Sequence, residues 1–116
     1  MNSLVITWVY LVLAAICTGI ANLMLKKARS MVVDEGLIQQ LFNPYFVSAL
    51  ILFVANLLFF SKALEKLPVT IAYPIFAGIG FSILFGLGVF WLGESLSRNH
   101  LTGAILILTG IWMIAR

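Results

Sequence analysis

No acidic residue falls between Leu4 and Leu25, the first long apolar run, and the whole chain holds only four: Asp34, Glu35, Glu65 and Glu94. All four lie in or beside the segments that connect apolar runs. Charge of either sign is scarce, at 9% of residues, whereas hydrophobic residues make up 63%. That balance excludes a soluble domain and describes an integral membrane protein. The single cysteine, Cys17, excludes an internal disulfide and counts as a small apolar residue within its run. One histidine, His100, makes no metal site without acidic neighbours. No basic residue precedes the first apolar run, which argues against a cleaved signal peptide. The net charge of +3 is spread over the connecting segments, with one cluster at Lys26, Lys27 and Arg29, so nucleic acid is not an expected partner. No nucleophile–base pair and no phosphate-cradling glycine loop is present. The chain therefore reads as neither an enzyme nor a cofactor binder.

What is present are four apolar runs, Leu4–Leu25, Tyr45–Ser61, Leu67–Gly93 and Leu101–Ala115. A spanning helix needs about 20 residues. The first and third runs suffice, the second does so once counted from Asn43, and the short fourth spans by letting its ends snorkel. The expected fold class is all-α: a four-transmembrane-helix bundle in a single domain, with helices near 4–26, 43–64, 67–93 and 100–115. Asn43-Pro44 is a turn signal and a helix start. Leu37 to Phe42 before it is a short amphipathic stretch suited to the membrane interface. The tight link Glu65-Lys66-Leu67-Pro68 predicts an antiparallel hairpin of the second and third helices.

Four helices rarely enclose a binding site and two gates. Larger transporters build them from two inverted halves. A chain this small would obtain its second half by dimerising, with itself or with a paralogue. Basic residues divide four against three between the two sides: Lys26, Lys27, Arg29 and Arg98 against Lys62, Lys66 and Arg116. So small a bias leaves both orientations open, including an antiparallel pair, and weakly favours the first side as cytoplasmic.

Several polar groups stand out inside the runs. Thr18, Asn22 and Lys26 are spaced by four and share one helix face that ends in a positive charge, a pattern suited to an anionic or polar head group. Asn22 is expensive in lipid unless used, and Lys26 either meets a phosphate or snorkels. Asn56 either bonds a neighbouring helix or lines the same cavity. In the third run Pro74 removes a backbone donor and predicts a kink, which Gly78 and Gly80 make more bendable, as a gating element needs. Tyr73 and Phe76 flank that bend, and Tyr73 is read as either a cavity residue or part of the interfacial aromatic belt. Glu94 is read as a surface partner of Arg98 or as a substrate-binding acid. Gly103 and Gly110, seven apart, form a packing seam for a dimer contact.

Taken together, LPVTIAYPIFAGIG (Leu67–Gly80), WLGESL (Trp91–Leu96), NLMLKKA (Asn22–Ala28) and the Gly103–Gly110 spacing resemble the small multidrug resistance family of the drug/metabolite transporter superfamily, over essentially the whole chain. Cation exporters of that family place a glutamate about two turns before the first-helix lysine, where this chain has Thr18 or Gly19. The chain is in this respect similar to the aminoarabinose–undecaprenyl-phosphate flippase branch, which shares Ala72-Tyr73-Pro74, the lysine, the Glu94 position and the missing acid. That resemblance implies a polyprenyl-phosphate-linked sugar as substrate, moved across a bacterial inner membrane by a dimer. Thr18, Asn22, Lys26, Asn56, Tyr73, Phe76 and Glu94 are the implied substrate contacts. Two other readings remain: an exporter of small polar or cationic compounds that uses Glu94 as its acid, and a non-transporting subunit of a heteromeric transporter.

Overall fold

A computed structural model describes residues 3–31 and 36–116. Among them every element is a helix: α1 (Ser3–Met31), α2 (Leu37–Gln40), α3 (Pro44–Ala63), α4 (Val69–Phe90) and α5 (Arg98–Ala115). Three of these are long and apolar enough to cross a membrane: α1 over Ser3–Ser30, α3 and α4. At 29 residues α1 runs about 43 Å, well past the roughly 30 Å hydrocarbon layer. It continues more than a turn beyond Lys26. The 18 residues of α5 open with Arg98-Asn99-His100, which lowers its apolar share at that end.

Local chemistry sets several helix ends. The Asn43 side chain accepts a hydrogen bond from the Tyr45 amide at 2.9 Å, and Pro44 occupies the first turn, where its missing donor costs nothing. The same asparagine donates across to the Ala28 carbonyl at 3.5 Å, tying the start of α3 to the end of α1. Gly93 closes α4 with a φ of 69°, a left-handed conformation that favours glycine. Ser97 caps α5 reciprocally with His100. The Ser97 hydroxyl accepts from the His100 amide at 3.2 Å, and His100 Nδ1 accepts from the Ser97 amide at 3.3 Å.

The helices do not form a closed ring. α1 packs along both α3 and α4, and α5 packs chiefly on α4. The result is a slab of 46 × 35 × 21 Å, only about two helix diameters thick. The expected hairpin of α3 and α4 is thus splayed: the two meet chiefly next to their link, where Phe60 touches Tyr73 and Phe76, and α1 fills the space between them. The cause lies in α1. Its buried face is built from Ala14, Ala15, Gly19 and Ala21, so both neighbours can approach its backbone more closely than they approach each other. The core gathers Leu11, Ala14, Ala15, Ala63, Ala72 and Phe76, with Trp8, Tyr10 and Phe59 packed around it.

The α1–α4 contact leaves no room for side chains at its centre. A Cβ on Gly19 would stand 2.9 Å from Ile83 Cγ2 and 3.3 Å from the Gly80 carbonyl oxygen. One on Gly80 would stand 3.3 Å from Thr18 Cγ2. Gly19→Ala should therefore destabilise the protein by about 1–3 kcal/mol through overpacking, although alanine is the better helix former by about 1 kcal/mol. Thermal unfolding in detergent checks this, and Ile83→Ala in the same chain should recover part of the loss.

Candidate functional site

Lipid offers hydrogen bonds to no one, so polar side chains in spans must find partners inside the protein. Several hydroxyls here bond backward to their own helix. Thr7 Oγ1 donates to the Ser3 carbonyl at 2.9 Å, Ser82 Oγ to that of Gly78 at 2.8 Å, and Thr109 Oγ1 to that of Ile105 at 2.7 Å. Asn22 does likewise, its Nδ2 donating to the Thr18 carbonyl at 2.9 Å. The Asn56 Oδ1 is the contrasting case: it is buried and meets no hydrogen-bond partner among the described residues.

The expected polar stripe on α1 is partly consumed by packing. Thr18 turns its methyl group toward Gly80 of α4, and the Asn22 amide is engaged with the helix itself. Lys26 alone stands exposed, at the end of the stripe. No carboxylate occurs anywhere in α1.

Near the other end, Phe60, Tyr73 and Phe76 form an aromatic cluster with ring centroids 4.8 to 6.2 Å apart. Phe76 is buried, whereas Tyr73 is 56% exposed. Gly80 of α4 faces Thr18 of α1. From that crossing Tyr73 lies seven residues back along α4, about 10 Å, and Lys26 eight residues on along α1, about 12 Å. The expected substrate residues are thus spread along the length of α1 and α4 and line no common pocket among the described residues. Pro74 sits within α4, which stays helical from Val69 to Phe90. Gly78 provides more than flexibility, since its position is where α5 docks: a Cβ there would stand 3.0 Å from Ile111 Cδ1.

Glu94 lies apart from this face. Its amide donates to the Gly88 carbonyl at 3.2 Å, and its Oε1 stands 3.2 Å from the place of a Gly88 Cβ. The carboxylate lines a cavity of ≈ 200 Å³ together with His100, Phe81 and Phe85. No ion pair joins it to Arg98 among the described residues, so the surface-pair reading is corrected: the left-handed turn at Gly93 folds Glu94 back over the end of α4. Lys62 instead pairs with Glu65 at 3.2 Å, an exposed bridge worth at most about 1 kcal/mol. On α5, Gly103 and Gly110 have nothing within 4 Å of a built Cβ and face away from the rest of the chain.

Two features escape the sequence reading. Gln40 is fully buried, while the apolar residues on either side of it are exposed. A groove of ≈ 430 Å³ lies where α1, α2 and α3 meet, with Arg29 on its rim. Only the odd combination of glutamines and large apolar residues in Leu37–Phe42 hinted at either.

Comparison with known proteins places these features in context. A family model described as Small Multidrug Resistance protein matches residues 6–107. The uncharacterized protein y4nH of Sinorhizobium fredii (strain NBRC 101917 / NGR234) is 36% identical over 104 residues, 89% of each chain. The multidrug resistance protein EbrA of Bacillus atrophaeus is 26% identical over 113 residues, 96% of this chain and 97% of its own. No solved structure matches.

An unmet buried amide oxygen costs about 1–3 kcal/mol. Asn56→Leu should accordingly leave the unfolding temperature unchanged or raise it. A clear fall in thermal unfolding would show that the amide oxygen is bonded in the folded protein.

Proposed function

The chain belongs to the small multidrug resistance family, a family of multi-pass membrane transporters, and from that premise we propose that it is a flippase for an amphiphile with an anionic head, a polyprenyl-phosphate-linked sugar. The observation that carries this reading is the charge on α1. The helix that packs against both α3 and α4 holds no carboxylate and presents exposed Lys26 toward one membrane surface. A lysine's positive charge attracts a phosphate and repels an organic cation. Thr18 in the place of an acid removes the group that would trade a proton for a cation.

In this mechanism the prenyl tail stays in lipid while the head group follows the face between α3 and α4. Lys26 takes the phosphate, and Asn22, Asn56 and Tyr73 bond sugar or phosphate oxygens, with Phe76 as an apolar wall. Asn56 supports this role, because its buried amide oxygen is left for a ligand. Pro74, Gly78 and Gly80 give α4 the two arrangements that alternate access requires. One negative charge leaving a negative-inside cell gains about 2.3 kcal/mol per 100 mV, so outward movement of an uncompensated monoanion needs no proton.

The open slab also calls for a second chain. Four spans, with α5 as the fourth, two copies of which meet along Gly103 and Gly110, complete the groove as a homodimer, or as a heterodimer with a paralogue, in a bacterial inner membrane. A second reading, a multidrug-type exporter, is favoured by one observation: Glu94 shares its cavity with His100 and two phenyl rings, a setting that suits a cation. EbrA, a relative across nearly the whole chain, carries a multidrug resistance name.

Reconstituted flipping of a polyprenyl-phosphate sugar tests the first reading. Lys26→Ala should slow it about tenfold or more, the worth of a charge-assisted bond, while Lys26→Arg retains it. Normal flipping by Lys26→Ala would remove the phosphate role. Gly103→Leu with Gly110→Leu should leave the monomer folded and shift the dimer toward monomer in light scattering. An unchanged dimer would place the seam elsewhere.

A further inference from the structure

The short helix α2 wears its polarity inside out. Gln40 is fully buried, whereas Leu37 and Ile38 are each 76% exposed, Leu41 is 51% and Phe42 is 85% exposed. A helix at a water-facing surface does the reverse, so the outer face of α2 meets lipid. Beneath it lies the ≈ 430 Å³ groove, roofed by Leu37, walled by Leu25 of α1, and floored by Ala49, Leu50 and Phe53 of α3. From Phe46 at its outer end to Phe53 at its inner end it follows seven residues of α3, about 10 Å. Arg29, in the last turn of α1, stands at the outer end, and exposed Lys26 lies one turn away on the same helix. Lys26, Lys27 and Arg29 form the chain's cluster of basic residues. The groove is therefore narrow, apolar within and cationic at its mouth, at the depth where a lipid changes from chain to phosphate.

We propose that this groove is a binding site for an anionic glycerophospholipid, which lays one acyl chain between α1 and α3 under Leu37 and sets its head-group phosphate on Arg29. The occupant is a resident lipid and not the transported one. No residue of α4 or α5 lines the groove, and Tyr73, Pro74 and the open face between α3 and α4 lie outside it. The groove's lining thus shares no residue with the contacts proposed for the transported lipid, although Lys26 stands one turn from its mouth. A zwitterionic lipid would fit the apolar part equally and gain less at the mouth, because its own cation opposes Arg29 and Lys26.

The test uses the full chain in nanodiscs of mixed phosphatidylglycerol and phosphatidylcholine, released into the gas phase and read by native mass spectrometry. Wild type should retain phosphatidylglycerol in preference, about one per chain. Arg29→Ala should lower that retention about fivefold, the factor one basic residue contributes at a membrane surface. Leu37→Asp, which touches only the roof, should lower retention of both lipids. Arg116→Ala, an exposed cation distant in sequence from the groove, should change nothing, and circular dichroism confirms that each variant keeps its helices. Equal retention of the two lipids by wild type, or wild-type retention by both Arg29→Ala and Leu37→Asp, overturns the proposal. Neither outcome depends on transport of any substrate.

Discussion

Everything in this small protein depends on how closely α4 can approach the backbone of α1. In lipid there is no hydrophobic force between helices, so association rests on close packing. Here Gly19, Gly80 and the Thr18 methyl allow that approach, with Ile83 filling the remaining gap. The alanines around Ala14 and Ala15 do the same for α3. Because α1 supplies a small-residue surface to both neighbours, α3 and α4 are held on either side of it and joined mainly at their link through Phe60, Tyr73 and Phe76. The separation of α3 and α4 along most of their length is a consequence of that contact.

The same constraint explains which polar groups remain for use. The Thr18 methyl is spent on packing, and one Asn22 N–H bonds the helix, as do the hydroxyls of Thr7, Ser82 and Thr109. Among the expected substrate contacts, the Asn56 amide oxygen, the exposed Tyr73 hydroxyl and the Lys26 ammonium are engaged neither in that packing nor in a hydrogen bond within their helix. None of these is an acid. A membrane face whose available charge is one cation is electrically suited to an anion, and the single nearby carboxylate of α4's far end, Glu94, is folded over Gly88 beside His100.

Much of this was legible in the sequence, because membrane spans depend on simple quantities. Length and apolarity predict α1, α3 and α4, and Asn43-Pro44 marks the observed start of α3 with its cap. The resemblance to the small multidrug resistance family agrees with the match over residues 6–107. Spacing failed where it had to stand for three-dimensional contact. Positions 18, 22 and 26 share a face, yet periodicity cannot say that a neighbouring glycine will claim the first and a backbone carbonyl the second. A tight link between α3 and α4 implied pairing, but α1 competes for the same surfaces and wins through its smaller side chains. Leu37–Phe42 reads as amphipathic from its pattern, but amphipathicity alone does not reveal which face the protein covers, and here it covers Gln40.

The central claim is that α1 has given up proton-for-cation exchange, leaving Lys26 to meet an anion. The most direct measurement is proton release on adding tetraphenylphosphonium, a lipophilic cation, to the purified protein in weakly buffered nanodiscs. The account predicts no release at any pH between 6 and 8, because α1 holds no carboxylate that could trade a proton for the cation. Stoichiometric release that disappears in Glu94→Gln would contradict it and transfer the function to the cavity beneath the α4–α5 turn.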